Sequence, residues 1–157
     1  METLHRVVYA SRVNPHYLDN LDETLKDILT VAVRENGRRA ITGLLIAHRG
    51  WFVQALEGPV EAVHGRFGAI VRDTRHRDAI ILAEGPTQAR MFGAWSMCAR
   101  VLSPTDAAVL DLLDQKAAFD PAGVAERTVI RLLTTVAELH GRTLDAQHMA
   151  LLAPTAA

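Results

Sequence analysis

The sequence is poor in cysteine and carries almost no net charge. Its single cysteine, Cys98, can form no disulfide within the 157-residue chain, and this composition fits a reducing cytoplasm. Charged residues make up 22% of the chain but nearly cancel, leaving a formal net charge of −1. Proteins that bind nucleic acid or anionic membranes usually carry a basic stripe or a polybasic tail, so neither partner is expected.

The chain also lacks long apolar runs and familiar catalytic motifs. No run is long enough to cross a membrane, and Glu2, His5 and Arg6 interrupt the start, so we expect no signal peptide. The seven histidines show no zinc-ligand spacing, which predicts no metal site. A phosphate-binding glycine loop and a Gly-x-Ser-x-Gly elbow are both absent from the sequence.

Gln54 is the most unusual residue of a predicted strand, Trp51–Glu57. Alternate residues of a strand point the same way, so Gln54 shares a face with two large apolar neighbours, Phe52 and Leu56. A buried amide needs partners for two donors and two lone pairs, and leaving them unmet costs about 1–3 kcal/mol. Gln54 is therefore either an edge residue that faces water or a ligand-binding residue inside a pocket.

The predicted elements follow the order strand, helix, two strands, helix, two strands. The strands are Leu4–Ser11, Ile41–His48, Trp51–Glu57, Ile80–Glu84 and Phe92–Val101, with a tight turn at Arg49-Gly50. One helix is predicted from a cap at Asp19 or Asn20 to Asn36-Gly37, and the other from Pro59 to a polar cluster at residues 72–76. This is an α+β, ferredoxin-like β-α-β-β-α-β order with a fifth strand, and both helices should cover one sheet face.

Residues 102–157 are predicted to form a helical extension that is distinct from a domain at residues 1–101. A capping box at residues 103–106 and an Asp-Pro pair at residues 120–121 each open a helix. The second helical region has an apolar stripe made of Val129, Leu132, Leu133, Val136 and Leu139. We expect the extension to cover the bare sheet face, to pair with a second copy of the chain, or both.

Four polar or aromatic residues stand out within apolar stretches: Tyr9, Asn36, Gln54 and Trp95. Each has an ordinary explanation, such as a core tyrosine, a helix cap or a packing tryptophan. Tyr9 and Gln54, however, share a face on strands that are predicted to be neighbours. That common face favours a site.

Five segments together resemble the BLUF domain, the family of blue-light sensors that use flavin. They read VVYAS around Tyr9, ENGRRAITGLL from Glu35, GWFVQALEG around Gln54, IVRDTRH ending at His76, and RMFGAWSM from Arg90 to Met97. The segments occur in family order and span about residues 4–101.

The resemblance implies a non-covalently bound flavin, FAD or alternatively FMN, held between the two helices with its ring facing the sheet. It implies that Tyr9 is the electron donor, that Gln54 links Tyr9 to the ring, and that Asn36 bonds the polar edge of the ring. Trp95 and Met97 would be the switching residues of the last strand, with Met97 also contacting the flavin. The remaining implied cofactor-binding residues are Ile28, Phe52, Ile70, Asp73, Arg75 and His76.

Two further positions bear on the resemblance. Ser11 matches a serine that is often found near the tryptophan. Glu35 departs from the family pattern, because relatives often carry Asn or His there, beside the ring. A carboxylate at Glu35 either turns to solvent or changes the contacts of the ring.

The preferred hypothesis is a cytoplasmic, short BLUF photoreceptor that is not an enzyme and has no attached enzymatic domain. It would signal by electron and proton transfer from Tyr9 and a rearranged hydrogen bond of Gln54. Its partners would be the flavin, a second copy of the chain in a homo-oligomer, and a separate downstream protein. Two alternatives are left open: a flavin or nucleotide oxidoreductase on a ferredoxin-like scaffold, and a ligand-free interaction module of the same fold.

Overall fold

The computed structural model describes residues 3–93, 96–101, 123 and 125–138. Within these ranges the chain forms a five-stranded sheet with strand order β4-β1-β3-β2-β5. The strands are β1 Leu4–Val13, β2 Thr42–His48, β3 Trp51–Pro59, β4 His76–Thr87 and β5 Cys98–Val101. Neighbouring strands are antiparallel except β2 and β5, which are parallel. This is the predicted ferredoxin-like sheet with its added fifth strand.

Helices α1 (Leu21–Arg38) and α2 (Val60–Val71) both cover one face of the sheet, as predicted. Leu25 of α1 and Val63 of α2 are buried in a cluster with Val7 of β1. Apolar positions repeat every three or four residues along each helix, so one stripe of each faces the strands. A short 3-10 turn, Pro15–Asn20, leads from β1 into α1.

A third helix, α3 (residues 126–138), covers the opposite face of the sheet. The stripe predicted for this region is confirmed as far as position 136, because Val129, Leu132, Leu133 and Val136 are buried against the sheet. Their partners include Val8, Leu44, Val53, Phe92 and Cys98. Leu139 and the capping box at residues 103–106 lie outside the described residues. The division of the chain near residue 101 stays a prediction.

The ends of α1 differ from the predicted ones. Asn36-Gly37 does not end the helix, which continues to Arg38, and the left-handed residue that follows is Ala40, with φ of 55°. The helix closes there because the main-chain oxygen of Asn36 accepts the N–H groups of Arg39 and Ile41. At the other end, Asn20 makes no side-chain cap bond, and acidic residues in the first turn complement the helix dipole instead.

The predicted last strand, Phe92–Val101, is shorter in the structure, where β5 begins only at Cys98. The main-chain N–H groups of Met91 and Phe92 donate to the Glu57 carboxylate, at 3.0 and 2.6 Å, instead of to a neighbouring strand. The predicted strand Ile80–Glu84 is longer than expected, because β4 pairs with β1 from His76 to Thr87.

Candidate functional site

Tyr9 and Gln54 lie directly opposite each other on β1 and β3. Their side chains are only 2% and 4% exposed, and the Tyr9 ring packs against Phe67 of α2. The Tyr9 hydroxyl donates a hydrogen bond to Gln54 Oε1, and Gln54 Nε2 donates to the Met97 sulfur at 3.4 Å. Gln54 is therefore buried and bonded at both ends of its amide, so it is not an edge residue that faces water.

The environment of Tyr9 keeps its hydroxyl protonated. Burial raises the pKa of Tyr9 well above its usual value, and the negative charge of Asp73 raises it further. A phenol in this position loses its proton only together with some other change of charge, such as the loss of an electron.

A pocket opens over this pair, between α1, α2 and the sheet. The predicted site residues that line it are Tyr9, Ile28, Asn36, Phe52, Gln54, Ile70, Asp73, Arg75 and His76. Ile28 and Asn36 reach it from α1 because they lie eight residues, or about two turns, apart on one face. Met97 contacts Gln54 but does not belong to the described lining of the pocket. Trp95 lies outside the described residues.

Four lining residues were not predicted from the sequence: Val31, Ala32, Leu45 and Arg66. In the sequence, the three apolar residues of this set cannot be told from ordinary core positions. Arg66 carries a signal that sequence alone could have given, because it lies four residues before Ile70 on α2 and so shares its face.

Two polar atoms at the pocket are buried without a hydrogen-bond partner among the described residues: Asn36 Oδ1 and Arg66 Nε. The other end of the Asn36 amide is bonded, since its Nδ2 donates to the Ser96 main-chain oxygen at 3.1 Å. An unmet buried polar group costs about 1–3 kcal/mol. One orphaned acceptor and one orphaned donor at the same pocket therefore indicate a bound group with polar atoms of both kinds.

His76 joins three elements at the back of the pocket. Its Nε2 lies 2.6 Å from the Ile70 main-chain oxygen, which can only accept, so this nitrogen carries the hydrogen. In the neutral ring, Nδ1 then accepts the Ser11 hydroxyl at 2.6 Å. Ser11 thus contacts His76, and its predicted neighbour Trp95 is not among the described residues.

A charged pair, Asp73 and Arg75, lies at the pocket with both side chains partly exposed. The main-chain N–H of Arg75 and its guanidinium Nε each donate to Asp73 Oδ1 at 2.9 Å. These bonds from Arg75 hold the pKa of Asp73 below its usual value, so the carboxylate stays ionised. The pair presents both charges to whatever enters the pocket.

Glu35 turns away from the pocket. Its carboxylate accepts from Arg39 at 2.7 Å and from Arg34 at 3.4 Å, and the bond from Arg39 lowers its pKa. At this position, which departs from the family pattern, the carboxylate is therefore held by Arg34 of α1 and by Arg39, the residue that follows the helix.

Glu57, which the sequence shows only as the end of a predicted strand, is a fully buried carboxylate with several donors. Besides the two N–H groups of Met91 and Phe92, it accepts from Arg6 Nε and Thr42 Oγ1, both at 3.2 Å. Glu57 thereby fastens the segment that leads to Met97 onto β3, the strand that carries Gln54.

This fold and site are those of a flavin-binding light sensor. The family model for BLUF, described as sensors of blue-light using FAD, matches residues 4–98. The chain belongs to the BLUF family, and its function is that of a blue-light sensor that binds flavin.

Known proteins agree with this assignment. The chain is 35% identical over 94 residues to the photoactivated adenylate cyclase subunit alpha of Euglena gracilis, covering 60% of this chain and 9% of that protein. It therefore spans about a tenth of the length of that curated relative. The structure of the BlsA photo-activated state matches with a TM-score of 0.75 and 28% identity, over 85% of this chain and 94% of that one. The dark-state structure of the BLUF protein BlrB matches with a TM-score of 0.67 and 29% identity, over 87% and 98%.

The lining of the pocket suits a flavin ring in its chemistry. The ring is flat and largely apolar, which suits the walls made by Ile28, Phe52 and Ile70. Its polar edge carries both carbonyl oxygens and an N–H, which suit the orphaned Arg66 Nε and Asn36 Oδ1.

Across the described part of the chain, no helix combines the length and the apolar character needed to span a membrane.

Proposed function

We propose that this BLUF protein binds FAD, works in the cytoplasm without enzymatic activity of its own, and passes its signal to a separate protein. The observation that carries the proposal is the Tyr9–Gln54 hydrogen bond at the wall of the pocket between the two helices and the sheet. FAD is preferred to FMN because the family description names it. The charged Asp73–Arg75 pair at the pocket suits the ribityl or phosphate part of the cofactor.

Tyr9 is the electron and proton donor of the photoreaction. When bound and excited by blue light, the flavin supplies a strong oxidant. The neutral Tyr9 hydroxyl already points its hydrogen at Gln54 Oε1, so the proton has an acceptor in place when the electron leaves. Burial at this position excludes bulk water as a competing proton acceptor.

Gln54 is the two-state element of the sensor. A primary amide has a donor at one end and an acceptor at the other, so it can rotate or tautomerise and present a different pattern to its neighbours. In the described arrangement its acceptor faces Tyr9 and its donor faces Met97. Light changes the relative population of the two arrangements, and no substrate is consumed.

The signal leaves the pocket through Met97 and β5. Met97 is the residue immediately before Cys98, where β5 begins, and Cys98 is buried in the cluster that also contains Leu132 and Leu133 of α3. A change at the Gln54–Met97 bond therefore has a short packed route to the opposite face of the sheet. Hydrogen exchange in α3, compared between dark and illuminated protein, tests this route.

We infer further that the chain forms a homo-oligomer through a surface other than the apolar stripe of α3. That stripe is buried against the sheet of its own chain and is not free to pair with a second copy. The polar face of α3, which includes the exposed residues Glu126, Arg131 and Glu138, remains accessible for the downstream protein.

Identification of the bound cofactor tests the proposal against its alternatives. The purified chain should be yellow, and acid should release intact FAD that chromatography separates from FMN and riboflavin. A colourless protein that takes up neither FAD nor FMN would leave the interaction module as the better explanation. Flavin that responds only to added reductant or substrate, and not to blue light alone, would favour the oxidoreductase.

A further inference from the structure

Three metal-ligating side chains meet away from the flavin pocket: His5 on β1, His64 on α2 and Glu84 on β4. One ligand atom from each lies within 4.8 Å of the others. His5 Nε2 is 3.1 Å and His64 Nε2 is 2.9 Å from the same carboxylate oxygen, Glu84 Oε1. No spacing motif reveals this group, because its members are separated by 59 and 20 residues and only the fold unites them.

The sheet register and the packing of α2 bring the three together. Glu84 is paired with Val7, two residues beyond His5, so both side chains belong to the face that α2 covers. Val63 anchors α2 to that face, and His64 is its neighbour in the helix. The two imidazole rings are in edge contact, with centroids 4.8 Å apart, and both direct Nε2 at the carboxylate.

We propose that His5, His64 and Glu84 form a binding site for a divalent transition-metal ion of the Zn²⁺ type. Zinc takes nitrogen and carboxylate ligands at about 2.0–2.2 Å, which places tetrahedral ligand atoms about 3.4 Å apart. To admit the ion, the hydrogen-bonded atoms must separate by a few tenths of an ångström, and the two imidazole nitrogens must close from as much as 4.8 Å to about 3.4 Å. Imidazole nitrogen favours Zn²⁺, Ni²⁺ or Cu²⁺ over Mg²⁺ and Ca²⁺, which prefer oxygen.

The three side chains are only partly buried, so an ion can reach them from solvent. Three protein ligands leave one position of a four-coordinate ion free. The His5 side chain is 14% exposed, whereas those of His64 and Glu84 are 52% and 35% exposed. One ligand is thus held firmly and two can adjust, and water completes the coordination. Each imidazole binds through the Nε2 lone pair, so its ring hydrogen moves to Nδ1.

The bound ion connects β1, α2 and β4, elements that also supply Tyr9, Ile70 and His76 to the pocket. The unfolded chain has no assembled site, so the ion binds only the folded chain. Binding should therefore raise the free energy of unfolding. Its ligands are separate from the pocket residues, so the ion should bind whether or not flavin is present.

Calorimetric titration of the untagged, chelator-treated full chain with zinc chloride at neutral pH tests the site. The unaltered chain should bind one Zn²⁺ and melt at a higher temperature with it. Loss of an outer partner alone typically weakens a metal site about 10–100-fold, so loss of a ligand in His64→Gln or Glu84→Gln should weaken binding at least about tenfold. His16→Gln removes an exposed histidine outside the group and should bind as the unaltered chain does.

The decisive comparison is between His64→Gln and His16→Gln, since both alter exposed side chains that the fold does not require. Equal Zn²⁺ affinity in the two variants, or no binding to the unaltered chain, would overturn the proposal. In that case His5, His64 and Glu84 are a surface hydrogen-bond group.

Discussion

Gln54 Nε2 donates a hydrogen bond to the Met97 sulfur at 3.4 Å, across the packed interior between β3 and the start of β5. A thioether only accepts, whereas the Tyr9 hydroxyl at the other end of the amide can donate or accept. A half-turn of the amide would place Oε1 against the sulfur, where two acceptors face each other. If Gln54 is the proposed switch, the described arrangement should be the one favoured in the dark, and the alternative should revert to it.

Tyr9→Phe and Gln54→Leu should each retain flavin and lose the light response. Phe keeps the aromatic ring that packs on Phe67, and Leu fills similar space to Gln, so the pocket survives in both. The donor hydroxyl or the amide is gone, however, so no new hydrogen-bond pattern can form. Absorption spectra before and after illumination measure this. Tyr17→Phe, which removes a hydroxyl outside the pocket lining, is the control and should respond normally.

Asn36→Ala should weaken flavin binding by about 1–3 kcal/mol, or roughly five- to 150-fold, or else shift the dark spectrum. The variant removes the orphaned Oδ1 and also the bond from Nδ2 to Ser96. Titration of the flavin-free protein with FAD gives the affinity. Asn20→Ala, at a position with no side-chain cap bond, should bind as the unaltered chain does. If Asn36→Ala matches that control in both affinity and spectrum, Asn36 is not a flavin ligand.

Glu57→Gln should be among the most destabilising single changes in the protein. The amide keeps the size of the side chain but loses the charge that pairs with Arg6 and turns an N–H group toward a main-chain donor. Because the Arg6 side chain is partly exposed, the loss should not exceed the cost of breaking a fully buried ion pair, about 3–5 kcal/mol. Urea unfolding followed by circular dichroism measures the loss. Glu61→Gln, on the surface of α2, should change stability by about 0.5 kcal/mol or less; equal effects would show that the Glu57 network contributes little.

Hydrogen exchange in residues 126–138 should differ between dark and illuminated protein if the signal reaches α3. The expected change is faster or slower exchange in the helix turns around Leu132 and Leu133, which share a cluster with Cys98. Light-scattering mass in both states shows whether a homo-oligomer forms and responds. A strict monomer whose helix exchanges identically in both states would leave α3 as a scaffold that only covers the sheet.

The sequence predicts the fold because strand alternation and helical periodicity are short-range patterns. Alternation along β1 and β3 places Tyr9 and Gln54 on one face, whereas the other expected pocket residues followed from the resemblance to the BLUF family. What it misses depends on distant partners. The last strand is shortened because Glu57, a residue with no local signal, accepts main-chain N–H groups 34 and 35 positions away.

The sequence also misses a second feature that depends on distant partners. His5, His64 and Glu84 have no periodic relationship in the chain, and only the pairing of β1 with β4 under α2 unites them. Glu35 differs, because the arginines that pair with it, Arg34, Arg38 and Arg39, are close in sequence. Helical spacing could therefore have predicted that its carboxylate turns to the surface.

The absorption spectrum of the purified full chain before and after blue light tests the central claim most directly. If Tyr9 and Gln54 form a light-driven switch beside the flavin, oxidised flavin should show a small red shift on illumination that reverses in the dark without added reductant. The shift should be absent in Gln54→Leu at equal flavin occupancy. A flavin-loaded protein whose spectrum does not change with light, or a Gln54→Leu variant with an unaltered photocycle, would contradict the account.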